Sequence, residues 1–166
     1  MAGKLAGAAT AAVIQKLTSP QGVNANLAAL TAPDSSLVVP LETAQIRSQN
    51  AGADLAERSH STKYPCMNVY CEKLANTLTE KFRTFSGTLR VSVEVRHSQD
   101  KLDGLQDVLE LYVDSVTQVL DASRGDWGSG MYYSGAYEVL LAAVKHGGRN
   151  FMQTAKISFD IGVSRN

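Results

Sequence analysis

The chain lacks net charge: its sixteen Lys and Arg are balanced by sixteen Asp and Glu across 166 residues. Non-specific DNA binding draws nearly all its affinity from basic side chains that neutralise phosphates, so a dedicated DNA-binding role is disfavoured. Long apolar runs are also missing, and no stretch approaches the roughly 20 residues that span a bilayer. Met1–Ser19 faintly imitates a secretory signal, with one lysine ahead of a short apolar run. Thr10 and Gln15 interrupt that run, and Leu5, Ala9, Ala12, Val13 and Leu17 recur at helical spacing instead. Cysteine is scarce. Cys66 and Cys71 lie an odd offset apart in an expected strand and point to opposite faces, which suits two small buried hydrophobes in a reducing compartment. There is no CxxC, HExxH, Walker sequence or nucleophile elbow, and His60, His97 and His146 have no partner at ligand spacing. The expectation is a non-enzyme without cofactor or metal.

With 44% hydrophobic and 19% charged residues, the chain has the composition of an ordinary globular protein, and its length suits one domain burying about two-thirds of its unfolded surface. Two helices are expected first. One runs from about Gly3 to Thr18, and a shorter one has Ser19 as N-cap, Pro20 at its first position and a body over 21–30. Turn chemistry follows at Pro33–Ser36. Residues 42–63 are polar, with weak alternation at Ala44, Ile46 and Ser48 and a further candidate strand over Ala53–Ser59. This composition suits an exposed arm or long hairpin that reaches a neighbouring molecule.

From Tyr64 onward the pattern is regular. Met67, Val69 and Cys71 alternate with polar residues in one strand. In the next, Leu89, Val91, Val93 and Val95 face a core while Arg90, Ser92, Glu94 and Arg96 face water. A long helix is expected from Asp100 to Ser123, with Leu105, Val108, Leu109, Tyr112, Val113, Val116, Val119 and Leu120 forming one apolar stripe against the sheet. Strands over 132–146 and 150–164 complete the core, joined through Gly147 and Gly148. A two-residue turn would mix the faces of this hairpin, whereas a three-residue loop sets Tyr137, Val139 and Leu141 opposite Phe159, Ile157 and Ala155. The resulting fold class is α+β: an antiparallel or mixed sheet against one long amphipathic helix, with N-terminal helices over 1–32, a polar arm over 42–63 and a core over 64–166.

Three surface features remain. Gly125, Gly128 and Gly130 form a glycine-rich loop after a helix, the reverse of the strand-to-helix order a phosphate cradle needs, so a flexible connection is expected. Trp127, Tyr132 and Tyr133 in or beside it are core plugs or interface anchors. Asp103, Asp107, Glu110, Asp114 and Asp121 fall within about 60° on a helical wheel, opposite the apolar stripe. Without interleaved bases, each like-charge pair costs roughly 0.2–0.5 kcal/mol in an isolated helix. This acidic ridge is a solvated face, a partner for basic residues of another subunit, or a surface that repels a DNA backbone; a divalent-metal site is the weakest alternative, since carboxylates along one helix do not by themselves close a coordination shell.

The stretch from Tyr64 to Asn166 resembles the tail terminator, or tail completion, proteins of long-tailed bacteriophages. The segments that carry the resemblance are KYPCMNVYCEKL, EKFRTFSGTLRVSVEVRHSQD, LYVDSVTQVLD, RGDWGSGMYYSGAYEV and KHGGRNFMQTAKISFDIGVSRN. It implies a structural virion protein of the tail or neck, assembled in the host cytoplasm. Such a protein forms a homo-hexameric ring that caps the tail tube and joins it to the head-tail connector or stopper protein. Double-stranded DNA passes through the bore without sequence-specific binding, and no membrane is involved. A closed ring needs two different complementary patches per subunit. The candidates are the polar arm, with Arg47, Gln49, Asp54 and Glu57, and the loop carrying Trp127, Tyr132 and Tyr133. The alternatives are a tail-tube or connector subunit or, from another class, a small-molecule-binding module or an enzyme without a recognisable motif.

Overall fold

The computed structural model describes residues 2–52, 62–146 and 148–166. Among these residues three α-helices, α1 (Ala2–Leu17), α2 (Val23–Leu30) and α3 (Leu105–Ala122), accompany seven strands: β1 (Ile46–Ser48), β2 (Cys66–Asn76), β3 (Phe85–Gln99), β4 (Gly125–Gly128), β5 (Met131–Leu141), β6 (Lys145–His146) and β7 (Phe151–Arg165). They form one sheet in the order β1-β2-β3-β7-β5-β4, with β6 also on β7. Among the described strands β1 alone runs parallel to its neighbour. The class is α+β with a mixed sheet. In place of one long helix covering it, three helices among the described residues share one face, and the longest of them has 18 residues.

The spine of the sheet is β3 paired with β7, in unbroken register from Phe85↔Arg165 to Gln99↔Phe151. Leu89, Val91, Val93 and Val95 on β3 and Ala155, Ile157, Phe159 and Ile161 on β7 are buried against the stripe of α3 and against Leu5, Ala9, Val13 and Leu17 of α1. Period-2 and period-3.6 apolar patterns here meet in one core. The opposite face of β3 is not simply wet, as alternation alone suggested. Ser92 is fully buried and its Oγ lies 2.7 Å from Ser158 Oγ, and Arg96 is buried beside Glu94. Arg96 also donates to the Ala51 carbonyl, and the same face carries a charged cluster drawn from four strands. Arg90 sits among Glu72, Glu138 and Asp160, and Lys156 also reaches Glu72.

Several expected boundaries move for local reasons. Ser19 does not cap α2; its hydroxyl donates to the Lys16 carbonyl at 2.9 Å at the end of α1, and α2 begins after Gly22. Helix α3 starts at Leu105, not Asp100. Gly104 adopts φ +77° ahead of it, and the Gln99 amide holds the Lys101 and Asp103 carbonyls at 2.7 and 2.9 Å in a preceding turn. The described part of the expected arm is docked, not projecting. A 3-10 turn over Thr43–Gln45 closes with the Glu42 N–H donating to Gln45 Oε1 at 2.8 Å, the Gln45 amide donates to the Pro65 carbonyl at 2.6 Å, and β1 pairs with Met67–Val69. The strand expected over 53–59, with Asp54 and Glu57, lies outside the described residues.

The β5/β7 register is as the pleat argument required: Tyr137↔Phe159, Val139↔Ile157 and Leu141↔Ala155. The route to it differs. Instead of a three-residue loop, the strand breaks at Ala142–Val144 and resumes as β6, whose last pair is His146↔Phe151. A second irregularity between Tyr133 and Tyr137 shifts the pairing toward Met131↔Val163.

Candidate functional site

The acidic residues Asp107, Glu110, Asp114 and Asp121 are exposed on the solvent side of α3. Asp103 is exposed as well, but it precedes the helix and leaves the ridge, because the left-handed Gly104 resets the chain direction before the first helical turn. At the far end Arg124 reaches Asp121 at 3.2 Å, three residues on, a pairing that the i+4 pattern missed. Toward the sheet edge, Gln106 Nε2 donates to Glu110 at 2.8 Å. Gln153 Nε2 lies 3.5 Å from Gln106 Oε1 and 3.0 Å from the Ala142 carbonyl. One polar chain therefore links the ridge to the end of β5.

The aromatic residues divide by position. Tyr133 is fully buried and packs with Trp127 (ring centroids 5.5 Å) and Phe159 (5.3 Å). Burial, with the Asp121 carboxylate and Tyr137 adding to it, pushes its phenol up to about 12. Trp127 is half-buried, donates to the Ser123 carbonyl at 2.6 Å and carries Lys16 over its ring at 4.7 Å, which ties α1 to the sheet. Tyr132 alone of the three is exposed. The glycine-rich segment around them is β4 and a tight hairpin, with Gly128, Ser129 and Gly130 all at positive φ, in place of a flexible connection. Of the arm candidates, Arg47 is half-buried with its Nε 2.7 Å from the Ala44 carbonyl, and Gln49 is exposed where its N–H meets Val69.

Two exposed apolar features were not singled out in the sequence. The first is the second half of β5: Tyr137, Val139 and Leu141 on the helix-bearing face and Leu140 on the other are all exposed, Leu140 at 67%. On the side away from β7, β4 reaches only as far as Tyr133, so among the described residues this edge has no strand beside it. The run Val139-Leu140-Leu141 held a readable signal, because consecutive apolar residues in a strand put hydrophobic surface on both faces. The second is the β2–β3 loop, where Leu78 (φ +47°) and Phe82 (φ +63°) project outward and Phe82 is 98% exposed. The loop is held in place: Glu80 accepts from Arg83 at 3.2 Å and Ser164 at 2.8 Å, and Thr79 Oγ1 lies 2.7 Å from Ser86 Oγ. No sequence pattern distinguishes such a Phe from a core residue.

No protein-family model matches this chain, and no curated protein matches it in sequence. Its chemistry is therefore read from the surface itself. Among the described residues no His, Cys, Asp and Glu side chains cluster as metal ligands, and no helix is long and apolar enough to cross a membrane. Cys66 and Cys71 are free, and burial pushes both thiols up, away from the nucleophilic thiolate. His97 is held below the usual imidazole range by burial, with its Nε2 3.3 Å from Gln99. A cavity of about 420 Å³ between α1, Ala122 and Trp127 has Lys16 as its one charged lining residue.

Proposed function

We propose that this chain is a structural assembly protein of a phage virion, a subunit of a homo-hexameric ring that caps the tail tube and joins it to the head connector. DNA passes through the bore, and the subunit acts by association, not catalysis. The observation that carries the reading is the apolar strand edge Tyr137–Leu141. It leaves hydrophobic side chains in water along an edge with no neighbouring strand among the described residues, a combination that marks a contact surface. The resemblance of residues 64–166 to tail terminator proteins supplies the kind of assembly. The acidic ridge on a chain of zero net charge suits a passage that DNA must traverse without adhering.

Electron microscopy of the purified chain, with and without tail tubes, tests this. Discrete rings, or tubes capped at one end, are expected. Growth of long tubes by the chain alone would make it a tube subunit instead, and failure to bind tubes or to form rings would sink the proposal.

A further inference from the structure

The two exposed apolar features differ in shape and charge. The β2–β3 loop is a convex knob: Phe82 at its tip, Leu78 nearby, and Lys81 exposed between them without an ion pair among the described residues. The second half of β5 is an extended apolar strip, and the Gln153–Gln106–Glu110 chain connects its end to the acidic face of α3. Knob and strip cannot meet within one molecule. Phe85, just after the knob, pairs with Arg165, whereas Val139 pairs with Ile157. Those positions are eight residues apart along β7, about 26 Å at the rise of a strand.

From this complementarity we infer that the β2–β3 loop of one copy docks on the β5 edge of the next, with Phe82 against Tyr137, Val139 and Leu141 and Lys81 facing Glu110. The inference rests on the ring reading above and deepens it by naming the two halves of the contact. A second copy is the occupant because this chain itself carries a basic, apolar projection to match an acidic, apolar strip. The loop is also already ordered, so little conformational entropy is lost when it docks. A knob on one side and a strip on the other make the interface heterologous, the type that closes into a ring when the rotation between neighbours allows it. Aromatic anchors dominate such contacts, and losing one weakens association by roughly tenfold or more.

The test is sedimentation velocity on the full chain and on Phe82→Asp and Val139→Asp, with thermal melts to verify that each variant folds. The wild type is expected to assemble and each variant to remain monomeric. An equimolar mixture of the two should give dimers and nothing larger, because one intact knob and one intact strip remain per pair. Lys81→Glu and Glu110→Lys, both at exposed positions, supply a second arm: each alone weakens association, and the double variant regains it. If the wild type forms rings and either apolar variant also does, or the mixture stays monomeric, this contact is wrong while the ring reading stands. If Phe82→Asp alone abolishes assembly, the knob docks elsewhere, on another surface or on the tube, and the pairing is likewise overturned. A wild type that neither self-associates nor binds tail tubes removes the ring reading and this contact with it.

Discussion

Tyr112→Phe isolates a single pin between the helix layer and the segment that precedes β1. The Tyr112 hydroxyl donates to the Val39 carbonyl at 2.9 Å and accepts from the Val39 N–H at 2.9 Å, so one side chain satisfies both backbone groups of one residue. The ring is buried on α3 and packs 5.8 Å from the His97 ring, contacts that phenylalanine retains. Two neutral hydrogen bonds contribute about 1–3 kcal/mol together. Val39 is itself exposed, so water can take over its backbone groups once the hydroxyl is gone, and the loss falls toward the lower half of that range, about 1–2 kcal/mol. For a chain of this length that is a drop of about 2–8 °C in the melting midpoint. The second readout is local: the Val39 amide, protected from hydrogen exchange in the wild type, should exchange at close to the rate of an open loop in the variant. A midpoint unchanged within about 1 °C, together with an equally slow Val39 amide, would show that these two hydrogen bonds contribute nothing to stability.

Three further perturbations follow from the same geometry. Gly130→Ala should cost about 2–4 kcal/mol in chemical denaturation, since φ is +74° there, an added Cβ would overlap the Ser164 carbonyl, and the Ser164 N–H to Gly130 bond would be disturbed. Gly148→Ala, at φ +90° with open space around it, should cost only about 1–2 kcal/mol; equal losses would discredit the steric part. His97 is held low by burial, so the folded chain binds fewer protons than the unfolded one once pH drops below about 6.5. Stability is full above that pH and declines as pH falls through it toward the depressed folded value. Melting midpoints between pH 7.5 and 5 should show this slope, and His97→Gln should flatten it. Replacing Asp107 and Asp114 by lysine, which leaves Glu110 in place, should make the chain retain duplex DNA in a gel at low salt and impair DNA delivery by assembled particles; unchanged behaviour in both removes the ridge from the DNA path.

Features that repeat along one element were legible in the sequence. The alternation at Leu89–Val95 and the α3 stripe each needed only a periodicity, and the β5/β7 register followed because a slip of one residue would turn Val139 away from Ile157's side of the sheet. What failed was set by partners distant in the chain. Ser92 read as solvent-facing because its partner Ser158 comes from β7, and Arg96 because its guanidinium reaches the Ala51 carbonyl, far away in the chain. Ile46 read as part of an arm because its parallel pairing with Met67 leaves no local mark. Ser19 read as an N-cap because its competing acceptor belongs to the helix before it. The candidate site was the least legible, since the exposure of Tyr137, Val139 and Leu141 depends on where the helices stop covering the sheet, and that of Phe82 on the loop that carries it.

The irregularities on either side of the β5 edge bear on how such a surface stays safe in a crowded cell. A long, flat apolar edge invites open-ended strand addition and fibre growth. Here the shift between Tyr133 and Tyr137 and the break after Leu141 limit the exposed stretch to Tyr137–Leu141, with register changing at both ends. An incoming strand finds one short landing place and no continuation beyond it. The same bends that unsettle the hairpin thus ration its stickiness, leaving room for a single partner.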